Sequence, residues 1–475
     1  MYQVVWFKRD LRVEDHRPLW EAAQRGPVLP LYIIEPEVYQ SADFSSAHWN
    51  FIRESLLELR ESMRVLGSPL IVRHGEALEV LRSLPVSALW AHEETGNGVT
   101  YARDRRIRRW ARESKVPFVE YPANGVVRRL PSRNGWSRIW ESRMAENLIP
   151  APQRLGPGPA IEEGPIPTSR DLRVFDVTLN APQQGGERAA SEALRSFLEG
   201  RGHNYHREMS SPLSAEQSCS RLSSYLAYGN LSTRQVVQAT RAFRDRVEDK
   251  SIRAALRAFD ARLHWRCHFI QKLEDEPRIE FENFVRAYDG MREESFNEDY
   301  FAAWCEGRTG YPMVDACMRM LHAKGWINFR MRAMLVSFAS YHLWLHWRQP
   351  SLYLARVFQD YEPGIHYSQF QMQSATTGIN TIRIYNPLKQ AEDHDPDGVF
   401  VRRWIPELES GHYPQPIVDH KEAVTLARSR LSEFRRRSDT RQEARGVMKK
   451  HGSRKRAPAK RPKPARGMPL FETPN

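Results

Sequence analysis

Residues 304–334 read WCEGRTGYPMVDACMRMLHAKGWINFRMRAM. Apolar residues at 313, 316, 317, 320 and 321 recur at i, i+3, i+4, i+7 and i+8. This predicts an amphipathic helix over 312–323 with Pro312 in its first turn. Lys324-Gly325 makes a turn, and a second helix is expected from Trp326 to about Trp347, apolar nearly all round yet containing Arg332. A charge inside a buried helix is costly unless it meets an opposite charge or an anionic ligand. The stretch therefore points to a large helical core with a counter-charge or anion at its centre.

Working outward, the helical pattern holds from about 190 to 420. Residues 1–128 instead alternate short β-like runs with helical ones: VVWF from 4, VLPLYII from 28, LIVR from 70, ALWAH from 88 and VPFVEY from 116. That alternation predicts a doubly wound parallel sheet. Residues 129–189, rich in Pro and Gly, read as a connector over the surface. The expected organisation is thus an α/β domain (1–128), a connector (129–189), a helical domain (190–420) and a C-terminal tail (421–475).

The net charge of +13 resides almost wholly in that tail. Residues 421–475 hold 17 Lys/Arg against 5 Asp/Glu, leaving 54 against 53 in the rest. The tail is expected to be disordered beyond about residue 440, either as a phosphate-contacting arm or as a solvated extension. The four cysteines, Cys219, Cys267, Cys305 and Cys317, form no C-x-x-C pair and read as reduced thiols, with no support for a metal or iron–sulfur site. No run of eighteen apolar residues and no secretory signal is present, so a cytoplasmic, non-membrane protein is expected.

Several segments together resemble the cryptochrome/photolyase family: VVWFKRDLRVEDHRPLWEA at 4–22, SRLSSYLAYGNLS at 220–232, RLHWRCHF at 262–269, the 304–334 stretch, RIYNP at 383–387 and FVRRWIPEL at 400–408. They stand in the family's order and cover most of residues 1–420. The resemblance implies a Rossmann/flavodoxin-like antenna-type domain and an all-helical domain that binds FAD.

The resemblance also assigns residues. Tyr205 and the run Cys219, Ser220, Arg221, Leu222 and Ser223 fall on the family's FAD-phosphate segment. Arg332 and Asp360 fall on the pair beside the flavin ring, with Tyr361 and Glu362 following. Trp265 falls on the aromatic on which a flipped dimer stacks, and Arg266 follows it. Arg262 stands where the commonest dimer photolyases carry Glu, and Phe329-Arg330 where they carry Asn-Arg. Gln390 matches a DNA-contacting Gln. Trp304 and Trp347 occupy the two outer positions of the family's electron relay, while Phe370 replaces the flavin-proximal Trp, so that Tyr361, Tyr367 or Trp344 would have to bridge. His366, or Tyr367 if the extra residue before Gly378 shifts the register, aligns with the position facing flavin N5, where a His would titrate near neutral pH. The folate-contacting position of the family is Val99-Thr100 here, with Glu93 and Glu94 nearby, so a second antenna chromophore is left open.

The resemblance implies a blue-light photolyase in which excited, reduced FAD passes an electron to a pyrimidine dimer flipped out of DNA. The expected protein is a monomer acting on DNA. The alternative is a cryptochrome-type photoreceptor without repair activity, which the altered dimer-contacting positions favour.

Overall fold

The structure, a computed structural model, describes residues 1–452. The last part of the basic tail, 453–475, lies outside the described residues. Five strands, β1 (Tyr2–Phe7), β2 (Val28–Ile34), β3 (Ile71–His74), β4 (Val86–His92) and β5 (Phe118–Tyr121), pair in the order β3-β2-β1-β4-β5. Every pairing is parallel. This is the Rossmann strand order rather than the flavodoxin one, with the direction of winding reversing between β1 and β4. All seven residues of β2 are buried, as a parallel sheet covered on both faces requires. Val4, Trp6, Leu29 and Leu31 pack on one face with the helices Ala77–Arg82 and Gly98–Glu113. Val5, Phe7, Val28 and Tyr32 pack on the other, in a core that continues into Leu222, Tyr225, Phe259 and Leu263 of the helical region.

The sheet is therefore fused to the helices by a shared core. The loop after β1 adds a strap of hydrogen bonds: Leu11 N–H donates to Tyr228 O (3.1 Å) and Arg9 Nε to Ala227 O (2.8 Å). Gly229, at φ +72°, makes that approach possible, because a Cβ there would lie 2.3 Å from Arg9 O. The connector is not wholly irregular. It contains the helix Trp136–Ala145, whose Trp136, Trp140 and Met144 are buried at i, i+4 and i+8.

The decisive stretch folds as expected in its first half. The helix Pro312–Lys324 ends at Gly325 in the left-handed region (φ +63°). The second half corrects the expectation of one helix to Trp347. The helix Phe329–Ser337 runs into a π-helical turn, Phe338–His342, and the next helix begins at Arg348. The break has a visible cause. Arg292, fully buried, donates to the Ser340 carbonyl (3.1 Å) and stacks on Trp344, which sits at φ +53°.

The tail also differs from expectation. Residues expected to be disordered beyond 440 are helical to 451, in the helix Ser438–His451, which follows the helix His420–Arg436. Sparse apolar contacts hold them: Ala427, Leu431 and Val447 are buried, and Phe434 stacks on Tyr288. Among the described residues no helix is long and apolar enough to cross a membrane.

Candidate functional site

Arg332 and Asp360 are brought together as expected. Nη1 and Nη2 of Arg332 donate to the two carboxylate oxygens of Asp360 at 3.0 and 2.8 Å, and Nε donates to Ile327 O. Burial would push the Asp360 carboxyl up, but Arg332 outweighs it and holds the group below its ordinary range. The guanidinium also lies on the Phe358 ring, 4.1 Å from its centroid. An Arg with one face on an aromatic ring and its fork on a carboxylate is fixed in orientation.

Next to this pair lies the segment 219–223. Arg221 adopts φ +60°, rare for a residue with a side chain, in the turn before the helix Ser223–Tyr228. Its guanidinium lies 4.1 Å from the Trp326 ring centroid, makes no ion pair among the described residues, and keeps Nε buried without a partner. Gln183 Oε1 and Glu362 Oε1 are likewise buried and unpaired. Gln183 is tied to the segment by its own amide, which donates to Arg221 O (2.9 Å). Ser220 Oγ accepts from Leu222 N–H. Cys219 is part-buried and its thiol is pushed up to about 12 by burial, so it is inert. Tyr205 is buried against Phe197 and Phe259, close to Arg262 and Cys219. A strained, uncompensated guanidinium beside unpaired amide and carboxylate oxygens fits a ligand that carries phosphates and polar groups.

Glu362 is held from two domains. Arg266 Nη2 reaches its Oε2 at 2.8 Å and Arg9 Nη2 at 3.4 Å. Arg266 also donates to Leu226 O (2.8 Å). It is thereby turned inward. Trp265, one residue earlier on the helix Lys250–Asp275, points outward with 44% of its surface exposed. Phe329 is 47% exposed, and the Arg262 guanidinium lies 5.6 Å from the Trp265 centroid and 5.4 Å from that of Phe329. Arg330 is half-buried beside Phe329 with Nε unpaired. Gln390 is buried in the helix Pro387–His394, with Oε1 unpaired.

Comparisons with known proteins place this geometry. Family models match over most of both domains: "DNA photolyase" at residues 3–131 and "FAD binding domain of DNA photolyase" at 259–412. A deoxyribodipyrimidine photo-lyase of Thermus thermophilus is 32% identical over 436 residues, 88% of this chain and 96% of that protein. The chain belongs to the cryptochrome/photolyase family. It is also similar to a cryptochrome DASH of Gloeobacter violaceus, at 29% identity over 85% of each chain. Among solved structures, a class III photolyase from Agrobacterium tumefaciens superposes with a TM-score of 0.79 at 25% identity, covering 91% of this chain and 98% of that one. An archaeal photolyase from Sulfolobus tokodaii with two FAD molecules gives 0.76 at 27% identity, covering 90% and 99%.

FAD is thus the cofactor of this chain, and the Arg332–Asp360 pair with the 219–223 segment suits it. The rest of the family pattern is altered in several places. His366 does not titrate near neutral pH as expected. Burial pushes it down to about 4, its Nε2 is paired with Ser351 O (2.8 Å), and Tyr361, Tyr367, Phe358 and Phe370 surround it. Trp304 and Trp347 are both fully buried rather than leading out to the surface. Trp304 meets Phe301 and Tyr353, and Trp347 meets Tyr367 at 6.4 Å. Tyr367 lies 6.3 Å from Tyr361, and both phenols donate to Asp43 Oδ2, at 3.3 and 2.6 Å. Asp43 was invisible to sequence reasoning, because it comes from the α/β domain with no local motif. Arg9 lay within the opening motif, but its partner Glu362 is 353 residues away.

At the switch point between β1 and β4, a cavity of about 40 Å³ is lined by Asp10, His92, Glu94 and Arg266. Glu94 is occupied by Arg103 (3.0 Å), so of the two acids expected near an antenna site only Glu93 keeps an unpaired carboxylate oxygen. The four cysteines are free thiols.

Proposed function

We propose that this chain is a blue-light-driven, FAD-dependent DNA photolyase that splits UV-induced pyrimidine dimers, acting as a monomeric carbon–carbon lyase. One observation carries the reading. Trp265 and Arg266 are consecutive on one helix, with the indole exposed and the guanidinium turned in to Glu362 in the cofactor cradle. An aromatic platform for a flipped base then stands one residue away from the cradle.

When bound and reduced, FAD would supply the photo-excited electron that opens the dimer and would recover it once the two pyrimidines separate, so that the reaction is redox-neutral. The chain's residues bind and orient. Arg332 and Asp360 hold the flavin edge, and Arg221 with Ser223 hold the phosphates. Trp265 and Phe329 stack on a base taken out of the duplex, at about 1–3 kcal/mol per base. Trp347, Tyr367 and Tyr361 form a row of aromatic rings toward Asp360 that stands in for the missing proximal Trp, with Asp43 placed to accept a phenolic proton.

A second reading, a photoreceptor without repair activity, draws support from Arg262 and Phe329 at positions where dimer photolyases place an acceptor and an amide. A dimer-containing oligonucleotide exposed to the photoreduced protein under blue light separates the two. Loss of dimer supports the photolyase. An unchanged dimer in the presence of bound FAD leaves the receptor.

A further inference from the structure

The helices His420–Arg436 and Ser438–His451 lie outside the segments 3–131 and 259–412 matched by the family models. They are nonetheless firmly seated. Lys450 and His451 reach Glu276 at 2.9 and 2.7 Å, Glu443 accepts from Ala287 N–H, and Arg430 stacks on Trp344. Residues 420–451 carry ten Lys/Arg against four Asp/Glu. Apolar Ala427, Leu431 and Phe434 recur at i, i+4 and i+7 and face inward. Arg428 and Arg435, at i and i+7, are exposed along the flank of that face, and Arg436 is exposed next to them.

Between these helices and the segment 382–384 runs a groove of about 430 Å³, lined by Ile382, Ile384, Arg428, Arg435, Arg436 and Arg441. None of the four arginines enters an ion pair among the described residues, although their neighbour Arg437 finds Glu433. A concave surface with four guanidinium groups that enter no ion pair among the described residues suits a polyanion with spaced phosphates. The DNA binding proposed above selects the polyanion. Ile382 and Ile384 lead directly to Tyr385, whose N–H donates to Ser337 Oγ, and Ser337 ends the helix that begins with Phe329. The groove is thus tied, through this helix, to the element that presents the exposed Phe329.

We propose that this groove docks the phosphate backbone of duplex DNA flanking the site at Trp265. From Arg428 to Arg436 the helix advances about 12 Å, the rise of three to four base pairs. The groove takes phosphates without reading sequence. This rests on the DNA-binding part of the function proposed above and is independent of repair.

The test uses the full-length FAD-loaded protein, in the dark, with an undamaged duplex of about 20 base pairs. Binding is followed by fluorescence anisotropy between about 50 and 200 mM salt. Each lost phosphate contact lowers the slope of log K against log salt by about 0.9. R428Q/R436Q should therefore lower the slope by about 1.8, so that its affinity deficit shrinks about tenfold across that range. Both side chains are exposed, so the fold should survive. R105Q/R109Q removes two exposed, unpaired arginines from the α/β domain and should leave the slope unchanged. An unchanged slope in R428Q/R436Q, or an equal fall in R105Q/R109Q, overturns the groove while leaving DNA binding in place. A wild-type protein that binds no duplex overturns both. A wild type that fails to repair but shows the expected slope loss leaves the groove standing.

Discussion

The cofactor cradle and the exposed aromatic patch meet within one residue, yet they are built on opposite principles. In the cradle every charge is paired or conspicuously waiting: Arg332 on Asp360, Arg266 and Arg9 on Glu362, Arg221 with a buried, unpartnered Nε. At the patch, Trp265, Phe329 and Arg262 satisfy one another by stacking and leave nearly half of both rings open. The difference is one of cost. Unpaired charge in the cradle is expensive, so that side specifies its ligand strongly. An exposed ring costs little, so the patch can exchange its occupant and tolerate the substitutions seen at 262 and 329.

The largest break in this comparison should come from Arg332→Ala. It leaves Asp360, only 3% exposed, without its cation. Removing one partner of a buried pair costs about 3–5 kcal/mol, so the urea midpoint should fall sharply and FAD absorbance at purification should be lost. A variant that retains full FAD and wild-type stability would show that the pair is not the centre of the cradle.

His366 gives the sign of the cradle's share of the pH dependence, beside other buried histidines that burial also pushes down, among them His48 and His342. The pKa of His366 falls from 6.5 to about 4 on folding, chiefly through burial. The unfolded chain therefore binds a proton below 6.5 that the folded chain refuses until about 4. The contribution is fully present above 6.5 and is lost as pH falls toward 4, amounting to up to about 3 kcal/mol. His366→Gln keeps a donor for Ser351 O and should make the stability profile less steep across that window, the other buried histidines keeping their share. Parallel profiles for variant and wild type would mean that His366 titrates normally. On the patch side, Trp265→Ala should leave FAD content and stability near wild type while weakening binding of a dimer-containing duplex by about 1–3 kcal/mol. Loss of FAD in that variant would merge the two regions into one.

How much of this was legible in the sequence follows the same division. The five strands could be read because each is a short apolar run between turn residues, and a buried Arg in an apolar helix announced the need for Asp360. The order of the strands, and hence the Rossmann winding, depends on pairings between distant segments. The π-turn at 338–342 depends on Arg292, 48 residues from the Ser340 carbonyl it takes. Asp43 and Arg9 reach the cradle from the other domain. The tail misled for a compositional reason: its apolar residues at 427, 431, 434 and 447 are too sparse against ten basic ones to signal helices that a neighbouring surface completes.

Arg262 gives the smallest and most discriminating effect. A Glu at this position would accept hydrogen bonds from base N–H groups, whereas a guanidinium can only donate. Here it also spends its faces on Trp265 and Phe329, and such exposed cation–π contacts are worth about 0.5–1 kcal/mol each. Arg262→Ala should thus loosen both rings and cost about 1 kcal/mol in binding, without touching the cradle. If the guanidinium meets the carbonyl oxygens of a flipped dimer, the loss should be greater for damaged than for undamaged duplex, measured side by side at one salt concentration. An equal loss for both, with a shallower salt slope, would assign Arg262 to a phosphate instead. No loss for either would mean that the stack serves only to hold Trp265 in place, and the photoreceptor reading would gain accordingly.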